Sequence, residues 1–294
     1  MGDNNTAVRI YQKEFKELLQ VIFKKRAYFS DFFVGNTIEA LDGVQHNKNA
    51  FSVKTSDIPV AVGSYSKDGN TGMGTGTGKT SRFGERKEII YTDVDVPYSW
   101  EWSFHEGIDR HTVNNDLEVA IADRLELQAQ AKVRMFDKKH GKFISEAAKK
   151  SETLEDFSAD SVLKLFNKLS KYFNNIGAEG VKVAKVNSDL YNAIVDHPLM
   201  NTAKASKVNI DENNVIKFKG FIIEEVPDGA FESGEICYAY IKNIAKAFTG
   251  INTARTIESE DFDGYALQGA GKAGEYIPEA NKGAVVKVKG TPTI

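Results

Sequence analysis

The chain has 294 residues, of which 41% are hydrophobic, so it can bury a sizeable core and wholesale disorder is excluded. Its 38 basic and 41 acidic side chains give a net charge of −3, and no basic stripe stands out, so duplex nucleic-acid binding is not expected. The single cysteine, Cys237, is expected to be a small buried residue, and no apolar run approaches the ~20 residues of a membrane helix.

The first segment predicts an amphipathic helix. Its apolar side chains recur at spacings of three and four, with lysine and glutamate between them. They are Val8, Tyr11, Phe15, Leu18, Ile22 and Phe23. The stripe fits either an ordinary core helix or an arm that docks on another subunit, and periodicity alone favours neither.

Two extended segments joined by a glycine-rich connection follow. Residues 51–62 favour a strand interrupted by Pro59, and residues 63–79 contain too much glycine, serine and threonine to form a core. From residue 89 to residue 104, apolar and polar residues alternate strictly. The residues predicted to point one way are Val94, Val96, Tyr98, Trp100, Trp102 and Phe104. The pattern predicts one long strand in a two-stranded hairpin whose arms each reach about 40–60 Å.

A two-stranded hairpin is marginal on its own in water, so its aromatic face must be covered. One hypothesis is that the hairpin lies on a neighbouring molecule, although a hairpin folded back on its own domain gives the same pattern. Under the first hypothesis, the hairpin and the N-terminal helix supply the subunit contacts. These would be Tyr11, Phe15, Leu18, Ile22, Val94, Val96, Tyr98, Trp100, Trp102 and the loop-tip Lys79.

A long helix is predicted next, from Asn114 or Asn115 to about Lys139, with Gly141 as the stop signal and a length of roughly 35 Å. The remaining elements alternate between helix and strand, which indicates a mixed α/β layer. They are a helix capped by Ser158 or Asp160, a strand at 180–186, a helix at 188–195, and strand regions at 215–226 and 235–241. Residues 253–289 are expected to form short strands joined by glycine turns.

Three motifs point towards enzymes but fail in context. The stretch from Gly74 to Thr80 resembles a phosphate-binding loop with Lys79 as its lysine, but Met73 stands where the first glycine is needed. Residues 269–274 match a dinucleotide pattern too close to the C-terminus for a βαβ unit, so turn glycines are expected there. His105-Glu106 begins like a zinc-protease helix, yet Asp109 replaces the second histidine. No catalytic residue, cofactor or metal is therefore expected.

The order of elements and three stretches of the C-terminal half resemble the tailed-phage major capsid proteins, the fold named after phage Hong Kong ninety-seven. The stretches are residues 186–194, 219–228 and 261–278, the last of which resembles capsid proteins of phages that infect Gram-positive hosts. The resemblance implies an α+β fold in four parts. These are an N-terminal arm (1–47), an extended hairpin loop (48–110), a peripheral domain with a long spine helix (111–156 and 251–294), and an axial α/β domain (157–250).

The resemblance also implies a function without catalysis. The chain would build an icosahedral head from hexamers and pentamers of itself, in the virion, after assembly in the host cytoplasm. A separate scaffolding protein and a portal protein at one vertex are the implied partners, with no membrane and no sequence-specific nucleic-acid binding. The alternatives are another phage polymer, such as a tail-tube or connector subunit, and a nucleotide-binding enzyme that uses Lys79.

Overall fold

The computed structural model describes residues 27–40, 49–56, 60, 62–67, 81–84, 86–113, 117–198 and 216–290. The chain divides into two compact units, which we call the loop unit (His46–Pro97) and the main unit (Met1–Gln45 with Tyr98–Ile294). The predicted N-terminal helix, with Tyr11, Phe15, Leu18 and Ile22, lies outside the described residues, as do Lys79 and the predicted helix cap at Asn114 or Asn115.

Twelve strands and three α-helices are found in the described part. The strands are β1 (Phe33–Ala40), β2 (Asn49–Thr55), β3 (Thr92–Pro97), β4 (Trp100–Asp109), β5 (Lys150–Thr153), β6 (Lys182–Val186), β7 (Ile216–Phe218), β8 (Phe221–Glu225), β9 (Glu235–Ile241), β10 (Ala245–Glu258), β11 (Gly264–Tyr276) and β12 (Val285–Lys289). The helices are α1 (Leu117–Ala147), α2 (Ala159–Asn175) and α3 (Ser188–Val195).

The main unit contains two sheets. A four-stranded sheet has the order β1-β10-β11-β4, and a six-stranded sheet has the order β5-β12-β9-β6-β8-β7. Strand β9 is buried along its whole length. Side chains of α2 and α3 belong to the core cluster on one face of the six-stranded sheet, and side chains of α1 and residues 29–33 belong to the cluster on the other. A strand covered on both faces is expected to be almost wholly apolar, and β9 is.

The predictions for α2 and α3 are confirmed. Helix α2 begins after Ser158, whose hydroxyl accepts a hydrogen bond from the backbone N–H of Ser161. Helix α3 begins after Asn187, whose side chain caps Leu190 in the same way. The buried residues of α2 are the five predicted from the spacing: Val162, Leu165, Phe166, Leu169 and Phe173.

The predicted end of the long helix is wrong. Helix α1 continues past Gly141 to Ala147 and has 31 residues, which corresponds to about 46 Å. Gly141 lies where α1 passes the turn at Asp228–Ala230, because a Cβ built on it would stand 2.1 Å from the carbonyl oxygen of Ala230. This glycine therefore permits a close approach between two backbones and does not stop the helix.

The single long strand predicted from residue 89 to residue 104 is also wrong. It is divided into β3, which pairs with β2, and β4, which pairs with β11 in the four-stranded sheet. The hairpin is confirmed, but its regular ladder has only six or seven residues per strand, about 20 Å. The predicted tail of short strands is instead dominated by β10 and β11, with 14 and 13 residues.

The two sheets draw on different parts of the predicted domains. The six-stranded sheet takes β5 and β12 from outside residues 157–250, and β10 begins at Ala245 inside that range. The loop unit overlaps most of the predicted loop at 48–110, whereas β4 belongs to the main unit. The four-part division itself stays a prediction.

Candidate assembly surface

The β2–β3 ribbon of the loop unit has one apolar and one polar face. Phe51 stands opposite Val96, and Val53 opposite Val94, so these four side chains share a face. On the other face, the carboxylate of Asp95 accepts hydrogen bonds from polar groups of β2, the amide of Asn49 and the hydroxyl of Ser52. The ribbon is therefore amphipathic.

The two arms of the loop meet again beyond the ribbon. The backbone N–H of Ser66 donates to the carbonyl oxygen of Arg82 at 2.9 Å. The rings of Tyr65 and Phe83 meet edge to face, with centroids 5.1 Å apart. The loop thus keeps its two arms together well past the end of the regular ladder at Thr55 and Thr92.

Exposed apolar side chains concentrate in the loop unit. Of the fifteen large apolar residues that are exposed in the described part, eight belong to the loop unit. This unit contains only a small share of all the residues that the structure describes. We call these eight the arm surface: Val60, Val62, Tyr65, Phe83, Ile89, Ile90, Tyr91 and Val94. Val62 is 93% exposed and Phe83 84% exposed. Such a concentration of exposed apolar side chains suggests an interaction site.

The structure separates the predicted contact residues of the hairpin. Val94 is exposed on the arm surface, whereas Val96 is buried. Tyr98 belongs to the main unit, where its ring lies 5.7 Å from that of Phe248 and burial raises the pKa of its phenol. Val94 is thus the most exposed of the three, and as subunit contacts all three stay predictions.

Trp100 and Trp102 pack against α1 of the same chain. The ring of Trp100 lies 4.7 Å from that of Phe136, and the Nζ of Lys132 stands 3.9 Å from the ring centre of Trp102. Burial lowers the pKa of Lys132 to about 8. Of the two alternatives left open by the sequence, cover by the same chain applies to the tryptophans, because α1 covers them. As subunit contacts they stay predictions, which this packing does not favour.

The glycines of residues 269–274 lie within β11 and not in a turn, which corrects the expectation for them. Gly269 faces Phe104 of β4, and Gly271 faces Trp102. A Cβ would come within 2.2 Å of the Phe104 ring and 2.6 Å of the Trp102 indole. The glycines make room for aromatic rings on the next strand, an arrangement known to stabilise glycine-containing strands. The aromatic alternation in β4 was the signal that could have predicted it.

One pair of titratable groups resembles a catalytic pair but is sealed. The Nε2 of His140 lies 3.6 Å from the Oε1 of Glu275, and their side chains are only 2% and 4% exposed. Burial lowers the pKa of His140 to about 3 and raises that of Glu275 to about 7. The indole N–H of Trp100 donates to Glu275 at 3.0 Å. With no opening to solvent, this arrangement supports packing and offers no route for a substrate.

A buried ionic cluster ties residues 27–32, which we call the root segment, to the six-stranded sheet. The carboxylate of Asp31 lies 3.2 Å from the Nζ of Lys185 and 3.2 Å from that of Lys242, and it accepts a hydrogen bond from the hydroxyl of Tyr240 at 2.7 Å. Lys185 also pairs with Glu224. These residues are far apart in sequence, so no sequence motif predicted the cluster.

The thiol of Cys237 is buried as expected, and burial raises its pKa. Within the described ranges, no group of three or more histidine, cysteine, aspartate or glutamate side chains is arranged to hold a metal ion. A search of the described helices likewise finds none long and apolar enough to cross a membrane. The phosphate-loop-like stretch with Lys79 lies outside the described residues.

Comparison of the whole chain with solved structures finds phage capsids. The mature capsid of bacteriophage PhiM1 aligns with a TM-score of 0.64 and 10% identity over 92% of this chain and 88% of that one. The capsid of cyanophage P-SCSP1u gives 0.63 and 12% over 91% and 89%. The chain has the phage capsid fold. A virus-like particle from Pyrococcus furiosus gives 0.53 and 14% over 95% and 99%.

The capsid fold extends over nearly the whole length of the chain and of these neighbours, so the predicted α+β capsid fold is confirmed. At identities of 10–14% the likeness concerns the fold. No family model matches the sequence, and no curated protein matches it.

Proposed function

We propose that this chain is a structural subunit of a tailed-phage head, which assembles with copies of itself into hexamers and pentamers that enclose the genome. The observation that carries the proposal is the capsid fold over 92% of the chain, combined with an apolar surface concentrated on an extended loop. Neither feature requires a catalytic site.

The arm surface supports assembly on energetic grounds. A ribbon of two strands is marginal by itself, and the eight exposed side chains make the loop unit that contains it more costly to leave in water. Covering them on a second copy is worth on the order of 10–20 kcal/mol per subunit before ordering costs. A gain of this size suits a permanent assembly rather than a transient one.

The remaining parts of the proposal follow from the resemblance to capsid proteins. They are a virion location after assembly in the host cytoplasm, a separate scaffolding protein, and a portal protein at one vertex. The net charge of −3 fits a container whose wall does not hold duplex DNA tightly. A strong, salt-sensitive affinity of purified shells for DNA would contradict that last point.

Electron microscopy of the expressed protein, with and without the neighbouring genes, tests the proposal. Closed shells are the expected result; cylinders would favour a tail-tube subunit, and a compact monomer at high concentration would refute assembly. For the nucleotide-binding alternative, Lys79→Ala should leave nucleotide titrations unchanged if the chain is structural.

Matched variants within the loop unit test the arm surface itself. Phe83→Ser combined with Ile90→Ser removes two exposed apolar side chains and is expected to abolish shells while the circular dichroism spectrum is kept. Lys54→Ser combined with Asp93→Ser changes two residues that stand opposite each other on the polar face, and should still assemble. Equal loss of shells in both pairs would contradict a specific role for the arm surface.

A further inference from the structure

The root segment is seated between α1 and the six-stranded sheet. Phe29 and Phe32 are fully buried. On the sheet side, the ring of Phe29 lies 5.9 Å from that of Tyr238, and the ring of Phe32 lies 4.9 Å from that of Tyr240. Aromatic contacts therefore hold one side of the segment.

On the α1 side, a single carboxylate binds the backbone of the segment. Asp137 accepts a hydrogen bond from the N–H of Tyr28 at 3.0 Å and a second from the N–H of Phe29. Asp137 is only 3% exposed, and its Oδ2 atom is buried without a hydrogen-bond partner. The ionised carboxylate would thus have one oxygen without a hydrogen-bond donor.

The charges around Asp137 leave its ionised form poorly compensated. Titratable groups from the surrounding elements face this region: Tyr28 and Asp31 of the root segment, Arg134 of α1, and Lys185, Glu224, Tyr240 and Lys242 from the sheet side. Both lysines are bound to other carboxylates, those of Asp31 and Glu224. A cavity of about 510 Å³ opens beside the root segment between these residues.

We propose that Asp137 makes the seating of the root segment dependent on a proton: its neutral form favours the seated segment, and its ionised form favours an opened state in which water from the cavity reaches the carboxylate. A buried neutral carboxyl costs far less than a buried charge without a bonded cation. The exchange involves one proton and no covalent change.

The direction of the dependence on pH follows from the surroundings. Burial raises the pKa of Asp137 to about 7 in the seated state, whereas water in the opened state restores an ordinary value of about 4. Seating is therefore strongest below about pH 4, weakens as the pH rises to about 7, and changes little above that. Between about pH 5 and 8, the equilibrium constant for opening increases by up to about 100-fold.

The seating also bears on assembly, a consequence that rests on the proposed function. The root segment lies within the predicted N-terminal arm (1–47). A change in its seating would therefore change how that arm is held on the subunit.

Hydrogen exchange measured by mass spectrometry on the full chain tests the proposal. After correction for intrinsic exchange, peptides covering residues 27–33 should lose about 10- to 100-fold of their protection between about pH 5 and 8. Peptides of α2 report global unfolding, and protection of the root segment should stay below theirs at both pH values, so that its exchange reports local opening. Asp137→Asn keeps the shape and one acceptor oxygen but cannot ionise, so its root segment should show no such dependence.

Glu146→Gln is the matched control, because it neutralises an exposed carboxylate on the same helix; it should behave as the wild type. The proposal is overturned if Asp137→Asn keeps the wild-type pH dependence or if protection of the root segment rises with pH. Should Asp137→Asn fail to fold, the wild-type comparison decides, since equal protection of the root segment and of α2 at both pH values would exclude a local device. These outcomes do not depend on whether the chain forms shells.

Discussion

Replacing Gly141 with alanine sets helix propensity against packing. In the interior of a helix, this change normally stabilises a protein by about 1 kcal/mol. Here the new Cβ would stand 2.1 Å from the carbonyl oxygen of Ala230 and 3.3 Å from the ring of Phe29. The carbonyl oxygen of Ala230 belongs to the backbone, so no rotation of a side chain relieves the overlap.

The packing cost is expected to exceed the gain from helix propensity. Overpacking of a core typically costs about 1–3 kcal/mol, and a backbone obstacle favours the upper end of that range. After subtraction of the propensity gain, Gly141→Ala should lower the free energy of unfolding by about 2 kcal/mol. For a chain of this length, that corresponds to a decrease in Tm of about 3 °C.

Thermal and urea unfolding, followed by circular dichroism on wild type and variant in the same state of association, measure this difference. Gly229→Ala is the control, because it places a methyl group on the facing turn where no atom lies within 4 Å. Its effect should stay within about 0.5 kcal/mol. If Gly141→Ala proved more stable than wild type, the close approach of α1 to this turn would be wrong.

Two further substitutions test the buried charges, both by urea unfolding. Lys185→Ala leaves the buried carboxylate of Asp31 with one cation fewer and should lower the free energy of unfolding by about 3 kcal/mol. The control, Lys246→Ala, breaks an exposed ion pair and should lower it by less than about 1 kcal/mol. Similar losses in the two variants would show that the cluster adds no stability. Because burial raises the pKa of Glu275 from 4.5 to about 7, its neutral form stabilises the fold fully below about pH 4.5, and up to roughly 3 kcal/mol is lost as the pH rises to about 7. Glu275→Gln should remove that part of the pH dependence, and an unchanged profile would contradict the assignment.

Where a pattern reports directly on burial, the sequence predicted the structure well. The spacing of Val162, Leu165 and Phe166 identified the buried face of α2, since a helix brings every third or fourth residue to one side. Ser158, one of the two caps considered, identified the start of α2 for a local reason, because it caps an N–H three residues on. The capsid fold was predicted from the order of elements and three stretches that resemble capsid proteins, and the structural comparison bears that out.

The strand or helix against which each segment packs could not be predicted in the same way. The alternation from residue 89 to residue 104 is the same whether one strand or two produces it, and only the pairing of β3 with β2 and of β4 with β11 divides it. The same limit applies to the tryptophans, whose apolar character requires a cover without specifying which one. Here α1 provides it, as the contacts of Trp100 and Trp102 with its side chains demonstrate.

By itself, the sequence of this protein determined the buried face and the start of α2, because those depend on residues within a few positions of each other. The tertiary structure alone decided that Gly141 lies inside a helix and Gly271 inside a strand, since each glycine is explained by an atom distant in sequence. The same holds for the cluster around Asp31 and for the raised pKa of Asp137, because burial and charge depend on what the folded chain brings together.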